Sequence, residues 1–403
     1  MDFDDASDEA AFRADVRAWL AQNAEPKRHA RDFIGDGLPP AERLAASRAW
    51  QANKAAAGYA AVTWPREFGG LGGTVVQQLI YRQEECRYRS SFGYFEIGLG
   101  MCLPTLLAYA SSEHKARYVR LGLHGEEIWC QMFSEPAAGS DVAGVLTSAR
   151  RDGEEWVVNG QKVWTTGAQF SDFGLLLTRT DPGLPKHAGL TMFFVDMKSP
   201  GIEVRPIRQM AGVSGFNEVF FSDLRIPDHQ RLGTVGGGWK VALTTLMHER
   251  LSVGADIGLL NFDSLWSLVV GAGRLSDPLA VERLADAWVA EEGLRLHHCR
   301  TLTALSRGGV PGPEQSIAKL VKASLAQRMA CFALDLRGEA GQVGDDDETS
   351  TWCVAERAWS WSAAMRIAGG TDEILRNIIA ERVLGLPEET RLDKGIPFIE
   401  VPR

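Results

Sequence analysis

Apolar residues recur at three- and four-residue spacing from residue 1 to about 120. FRADVRAWLAQNA, LAASRAWQANKAAA and VVQQLIYRQEECRYR each keep this period, which predicts helices. Clusters of Pro and Gly, GDGLPP and FGGLGGT, punctuate them. From about 125 to 230 the period changes to two. RRDGEEWVV holds Asp152-Gly153 and VVNGQKVW holds Asn159-Gly160, and both dipeptides predict hairpin turns. GLLLTRT, GLTMFFVDM, GIEVRPI and NEVFFSDLRIP continue as predicted strands. After GTVGGGW the helical period returns, from 236 to about 385, with VALTTLMHERLSVGADIGLL first. The blocks divide at 1–124, 125–232 and 233–403, an α+β chain whose sheet domain is inserted between two helical domains.

At 403 residues, 45% hydrophobic and 24% charged, the chain is long enough for two or three domains with sizeable cores. A net charge of -9 with no basic stripe argues against nucleic-acid or anionic-membrane partners. The opening MDFDDASDEAAFRADVRAWL is acidic and amphipathic, unlike a secretory signal, and no apolar run approaches the roughly 20 residues that span a bilayer. Six cysteines lie scattered without CxxC spacing, which favours reduced, mostly buried thiols in a cytoplasmic protein. His297, His298 and Cys299 adjoin on a predicted helix, where neighbours splay about 100° apart, so they make a poor metal set.

Two stretches of the middle block carry candidate chemistry. In IWCQMFSEPAAGSDVAG a strand runs into a loop of small residues followed by Ser140 and Asp141. Exposed N–H groups beside a hydroxyl suit an anion, though such loops are also ordinary turns. In GQKVWTTGA, Trp164 precedes two hydroxyls. The indole is either core or a flat platform for another ring system, with Thr165 and Thr166 at its edge. Near the end, Gly369 and Gly370 precede Thr371, a plausible N-cap for EILRNIIAERVL. That arrangement suits a phosphate at a helix N-terminus, and equally a capped helix with a glycine turn.

FSEPAAGSD, WTTGA, FNEVFFSDLRIP, HERLSVGA and GGTDEILRNIIAERVLG, in this order, resemble the acyl-CoA dehydrogenase family over nearly the whole chain. The resemblance implies an N-terminal helical domain, a central antiparallel β-barrel-like domain and a C-terminal helical bundle, assembled as a homo- or heterotetramer. It implies FAD, with Met132 and Ser134 at the isoalloxazine, Ser140 at the pyrophosphate, Trp164 and Thr166 at the ring face and edge, and Thr371 and Glu373 as further contacts. An acyl-CoA substrate from fatty-acid or other lipid metabolism and an electron-transfer flavoprotein as acceptor follow from the same resemblance.

Such an enzyme needs a base within reach of the substrate α-carbon and donors aimed at the thioester oxygen. The commonest family pattern supplies the base as the glutamate of a Tyr-Glu-Gly-Thr run. Here Ala368 and Gly369 stand in place of Tyr-Glu. Gly369 has no carboxylate but keeps the N–H that, by resemblance, polarises the thioester carbonyl. Asp372 is expected to point into N-cap space or solvent. Some relatives carry the base on an earlier helix, where MHERLSVGA places Glu249. Ala242, Leu246, Glu249, Val253 and Ile257 form one helical stripe, and burial among them would raise the carboxyl pKa towards that of a base. The alternative is a buried ion pair with an arginine. Arg250 is expected on the substrate side, and His248 facing away.

Two departures stand out. The family's Arg-x-x-Phe-Gly segment reads GAGRLSDP here, with Arg274 displaced, and Asp335 lies near the place of a family glutamine. A same-fold flavin oxidase or monooxygenase, a thioester on a carrier protein, and an FAD-poor subunit of a hetero-oligomer are the other readings.

Overall fold

Two predicted strands that do not alternate, GLLLTRT and TMFFVD, pair with each other inside an eight-stranded sheet. The computed structural model describes residues 5–28, 32–91, 93–252, 260–307, 309, 312–344 and 350–402, with the backbone alone described for 249–252, 305 and 306. Its strands are β1 (Trp129–Met132), β2 (Ser148–Asp152), β3 (Glu155–Thr166), β4 (Phe173–Arg179), β5 (Leu190–Asp196), β6 (Ile202–Ile207), β7 (Phe216–Pro227) and β8 (Arg231–Leu232). The order is β6-β7-β3-β2-β4-β5-β8, with β1 pairing β4 in parallel. Most pairs are antiparallel, and the path runs from β6 to β8 without closing, so the sheet is barrel-like only in a loose sense.

Burial on both faces explains the missing alternation. Leu175, Leu177, Met192 and Phe194 enter one core cluster, together with Leu103, Leu106, Leu123 and Val241 from helices. Leu176, Phe193 and Val195 point to the opposite face, into a cluster with Trp156, Val158, Phe221 and Ile226. A strand covered on both sides has no polar face to display.

The two hairpin signals part company. Asp152-Gly153 does turn β2 into β3. Asn159-Gly160 does not turn; it lies inside β3, which pairs with β7 along its length through a register shift at this point. Gly160 has φ 151°, and a Cβ there would lie 2.5 Å from the Thr147 hydroxyl oxygen. The glycine thus serves a close strand approach instead of a turn. Asn159 donates to the Asp223 carboxylate at 2.9 Å and accepts from the Asp223 N–H at 2.9 Å, holding that residue at φ 50°.

The chain forms two units. One comprises residues 33–74, 89–254 and 389–403 and contains the sheet; the other comprises 1–32, 75–88 and 255–388. The second is helical, built on Ser7–Asn23, Val75–Glu85, Pro278–Ser306, Gln315–Leu336 and Thr351–Met365. Leu265, Leu284, Ala287, Met329, Phe332 and Ala355 meet in its core.

Candidate functional site

In the sheet unit, the two motifs flagged by sequence lie side by side. The Val163 N–H donates to the Ser134 carbonyl at 2.9 Å. The Lys162 ammonium, fully buried, donates to the Phe133 carbonyl at 2.9 Å and pairs with Glu135 at 2.8 Å. Glu135 also accepts from the Leu146 and Thr147 N–H groups at 2.6 and 2.9 Å. Burial pulls the Lys162 ammonium down to about 8, only partly offset by Glu135. Burial pushes the Glu135 carboxyl up, but the attraction of Lys162 and the hydrogen bonds outweigh it and hold it below the usual carboxylate range. Both groups are therefore ionised at neutral pH.

Two residues after that anchor, the ladder between β3 and β7 slips between Lys162 and Thr165. Trp164 occupies the bulge at φ 59°, the residue 56% exposed and its ring edge-on to Phe216. A left-handed tryptophan costs about 1–3 kcal/mol, so the surrounding strand must hold it there. Beside it Thr165 is buried, and among the described residues its hydroxyl has no partner. Thr166 and Ser134 are half-buried, while Ser140 is exposed next to Gly139, which has open space around it. Met132 is placed differently: it is wholly buried, with its side chain in the core beneath Gly174.

The loop carrying Ser140 is tied to the chain's last segment. Lys186 is buried and pairs with Asp141 at 2.9 Å and with Asp393. Arg179 donates to the Ala143, Val145 and Lys186 carbonyls, and its guanidinium stacks 3.5 Å from the Phe398 ring centroid.

In the helical unit, Gly369 and Gly370 are both left-handed, at φ 66° and 97°. Among the described residues the Gly369 N–H has no backbone partner. Thr371 is the expected N-cap, accepting from the Ile374 N–H at 3.2 Å, and Glu373 is exposed. Asp372 departs from expectation: it is 2% exposed and bound to Arg366 Nε at 2.7 Å and Nη2 at 2.6 Å. The guanidinium six residues upstream draws the carboxylate inward. Arg274 pairs with Asp277, and Asp335 with Arg283.

Glu249 and Arg250 belong to the last turn of the helix Gly238–Ser252, and their side chains lie outside the described residues. So do Val253 and Ile257. Upstream on that helix Val241, Ala242 and Thr245 are buried, and Thr245 hydrogen-bonds Thr105 at 2.9 Å. Position 249 follows Thr245 by four residues and Ala242 by seven, the spacing of that buried face. His248 is half-buried, which lowers its imidazole pKa.

Sequence reading missed Lys162, Glu135, Lys186, Arg179 and Arg366. Opposite charges inside two apolar motifs, SEP and QKVW, were the available signal for the first pair. The others depend on contacts that no local pattern encodes.

The chain matches three family descriptions in order: the acyl-CoA dehydrogenase N-terminal domain over residues 6–126, the middle domain over 130–224 and the C-terminal domain over 236–384. It is 38% identical over 384 residues to the acyl-CoA dehydrogenase IpdE1 of Mycobacterium tuberculosis, covering 94% of this chain and 98% of the relative. The human mitochondrial short-chain specific acyl-CoA dehydrogenase is 29% identical over 81% of this chain and 80% of its own length. A solved structure described as the Tcur3481-Tcur3483 steroid ACAD superposes with a TM-score of 0.79 at 25% identity, over 96% of this chain and 100% of that one. The ChsE4-ChsE5 complex from Mycobacterium tuberculosis gives 0.76 at 26%, over 96% and 100%. This chain belongs to the acyl-CoA dehydrogenase family, a family of flavoprotein oxidoreductases of lipid metabolism that act on acyl-CoA. Among the described residues no helix is long and apolar enough to cross a membrane.

Proposed function

We propose that this chain catalyses FAD-dependent α,β-dehydrogenation of an acyl-CoA thioester, with Glu249 as the base. The observation that carries the reading is the Gly369 N–H, which has no backbone partner among the described residues and is held in a left-handed turn where the usual carboxylate is missing. A family member that has lost the terminal base but kept the donor needs its carboxylate elsewhere, and Glu249 lies on the helix Gly238–Ser252, seven residues after the buried Ala242 and four after the buried Thr245.

The residues present fit FAD. An exposed indole offers a ring-sized platform, a buried hydroxyl at Thr165 has no partner among the described residues, and the loop around Gly139 has room beside Ser140. Trp164, Thr166 and Ser134 would hold the isoalloxazine, Ser140 the pyrophosphate, and Thr371 and Glu373 the remainder. When bound, FAD would supply the acceptor for the hydrogen that leaves the substrate β-carbon as hydride. Glu249 takes the α-proton onto a carboxylate oxygen, Arg250 lines the substrate side, and the Gly369 N–H donates to the thioester oxygen as negative charge develops there. Electrons leave to an electron-transfer flavoprotein.

The name of one structural neighbour supports a bulky, ring-bearing acyl group, and Ala368 and Gly369 leave more space than Tyr-Glu would. Neighbours solved as complexes of two chains support a heteromeric assembly. The test is anaerobic titration of the purified protein with linear, branched and steroid-side-chain acyl-CoAs, following flavin bleaching. Glu249→Gln should bind thioester but bleach at least a thousandfold more slowly. Undiminished bleaching removes Glu249 from the reaction, and a preparation lacking absorbance near 450 nm points to a subunit without flavin.

A further inference from the structure

A pair of adjacent glycines is a poor place to mount a catalytic donor, because no residue type has more backbone freedom. The Gly369-Gly370 turn nevertheless holds two successive left-handed conformations, and three side chains surround it. The Lys319 ammonium donates to the Gly370 carbonyl at 2.6 Å. Arg366, at the start of the turn, reaches forward to Asp372 at its end through Nε and Nη2. The backbone closes the same ring, with the Asp372 N–H donating to the Arg366 carbonyl at 3.2 Å. Arg366 is itself fixed, its Nη1 donating to Gln327 Oε1 at 2.9 Å on the helix Gln315–Leu336, which also carries Lys319. The Asp372 carboxylate is buried, and among the described residues its Oδ1 has no partner.

A buried ion pair is weak as a source of stability, since removing two charges from water costs about as much as their attraction returns. Its value here is geometric. We infer that Arg366, Asp372 and Lys319 are positioning residues, a clamp that fixes the Gly369 N–H as the thioester oxygen's donor. The inference rests on the reading of Gly369 given above. Donors of this kind act through preorganisation, and displacement by a fraction of an ångström forfeits most of their effect.

The test uses the full-length, FAD-loaded protein as purified and two non-oxidisable β-thia acyl-CoA analogues, one linear and one bearing a steroid ring system. Each carries an isotope-labelled thioester carbonyl, whose infrared stretch reports polarisation by the donor. In the parent protein the bound carbonyl should shift to lower frequency. In Asp372→Asn and Lys319→Met that shift should shrink and flavin reduction by substrate should slow about 10- to 100-fold, below the 10²–10³ expected for outright loss of a donor. Analogue affinity and FAD content should stay within threefold. Lys319→Met leaves the Arg366–Asp372 pair intact, so it reports even if Asp372→Asn, which strands the Arg366 guanidinium, fails to fold, and Lys319→Arg should restore the shift. An unchanged carbonyl frequency in Lys319→Met overturns the clamp. A parent protein that binds the analogue with no shift instead removes Gly369 as the donor.

Discussion

Replacing Lys162 by methionine keeps the stem and deletes the ammonium. In the parent protein that ammonium is, among the described residues, the only cation paired with the buried Glu135 carboxylate, at 2.8 Å, and it also satisfies the Phe133 carbonyl. The variant leaves the buried Glu135 carboxyl without its cation, the Leu146 and Thr147 N–H groups being the donors it keeps among the described residues. Breaking a buried pair from one side costs about 3–5 kcal/mol, and the two remaining donors place this case near about 3. For a body of about 150–250 residues that lowers Tm by roughly 6–12 °C. The segments joined through Lys162 are those carrying Ser134 and Trp164, so FAD retention should fall together with stability. Thermal unfolding by circular dichroism and flavin absorbance of the purified variant read the two effects. Lys162→Met combined with Glu135→Gln removes the stranded charge and should recover at least about 1.5 kcal/mol, a coupling that only a direct pair produces. A drop in Tm below 2 °C with stoichiometric FAD would refute the anchor.

Two more outcomes follow from the same unit. Asp228 accepts from Arg231 and from the Trp156 indole at 2.8 Å, and these bonds hold its carboxyl down to about 2 against an ordinary 3.8. A depressed carboxyl stabilises the fold above its ordinary value and loses that contribution as pH falls, here between about 4 and about 2. After solvent screening the contribution is about 1 kcal/mol, and Asp228→Asn should flatten acid unfolding curves across that window. Deleting residues 389–403 removes Asp393 from Lys186 and Phe398 from Arg179, loosening the loop of Ser140. FAD affinity measured by fluorescence should fall at least tenfold, and an unchanged affinity would detach that segment from the cofactor.

The family, the order of helical and sheet blocks, the Thr371 cap and the stretches that make up the candidate site were legible from residues read along the chain. These are local: a period of two or three to four, a turn dipeptide, a capping hydroxyl, a motif of adjacent residues. Asn159-Gly160 lies inside a long strand instead of a turn because β7 pairs across it and Thr147 presses against Gly160, contacts that exist only once the chain has folded. Likewise, only the fold bent Trp164 into a left-handed bulge and turned Asp372 inward to Arg366. The pairing of Lys162 with Glu135 and of Lys186 with Asp393 joins residues far apart in the chain. Such contacts depend on which surfaces meet after collapse, and the free energy of burying a charge is set by the partner that arrives from elsewhere, which no neighbouring residue specifies.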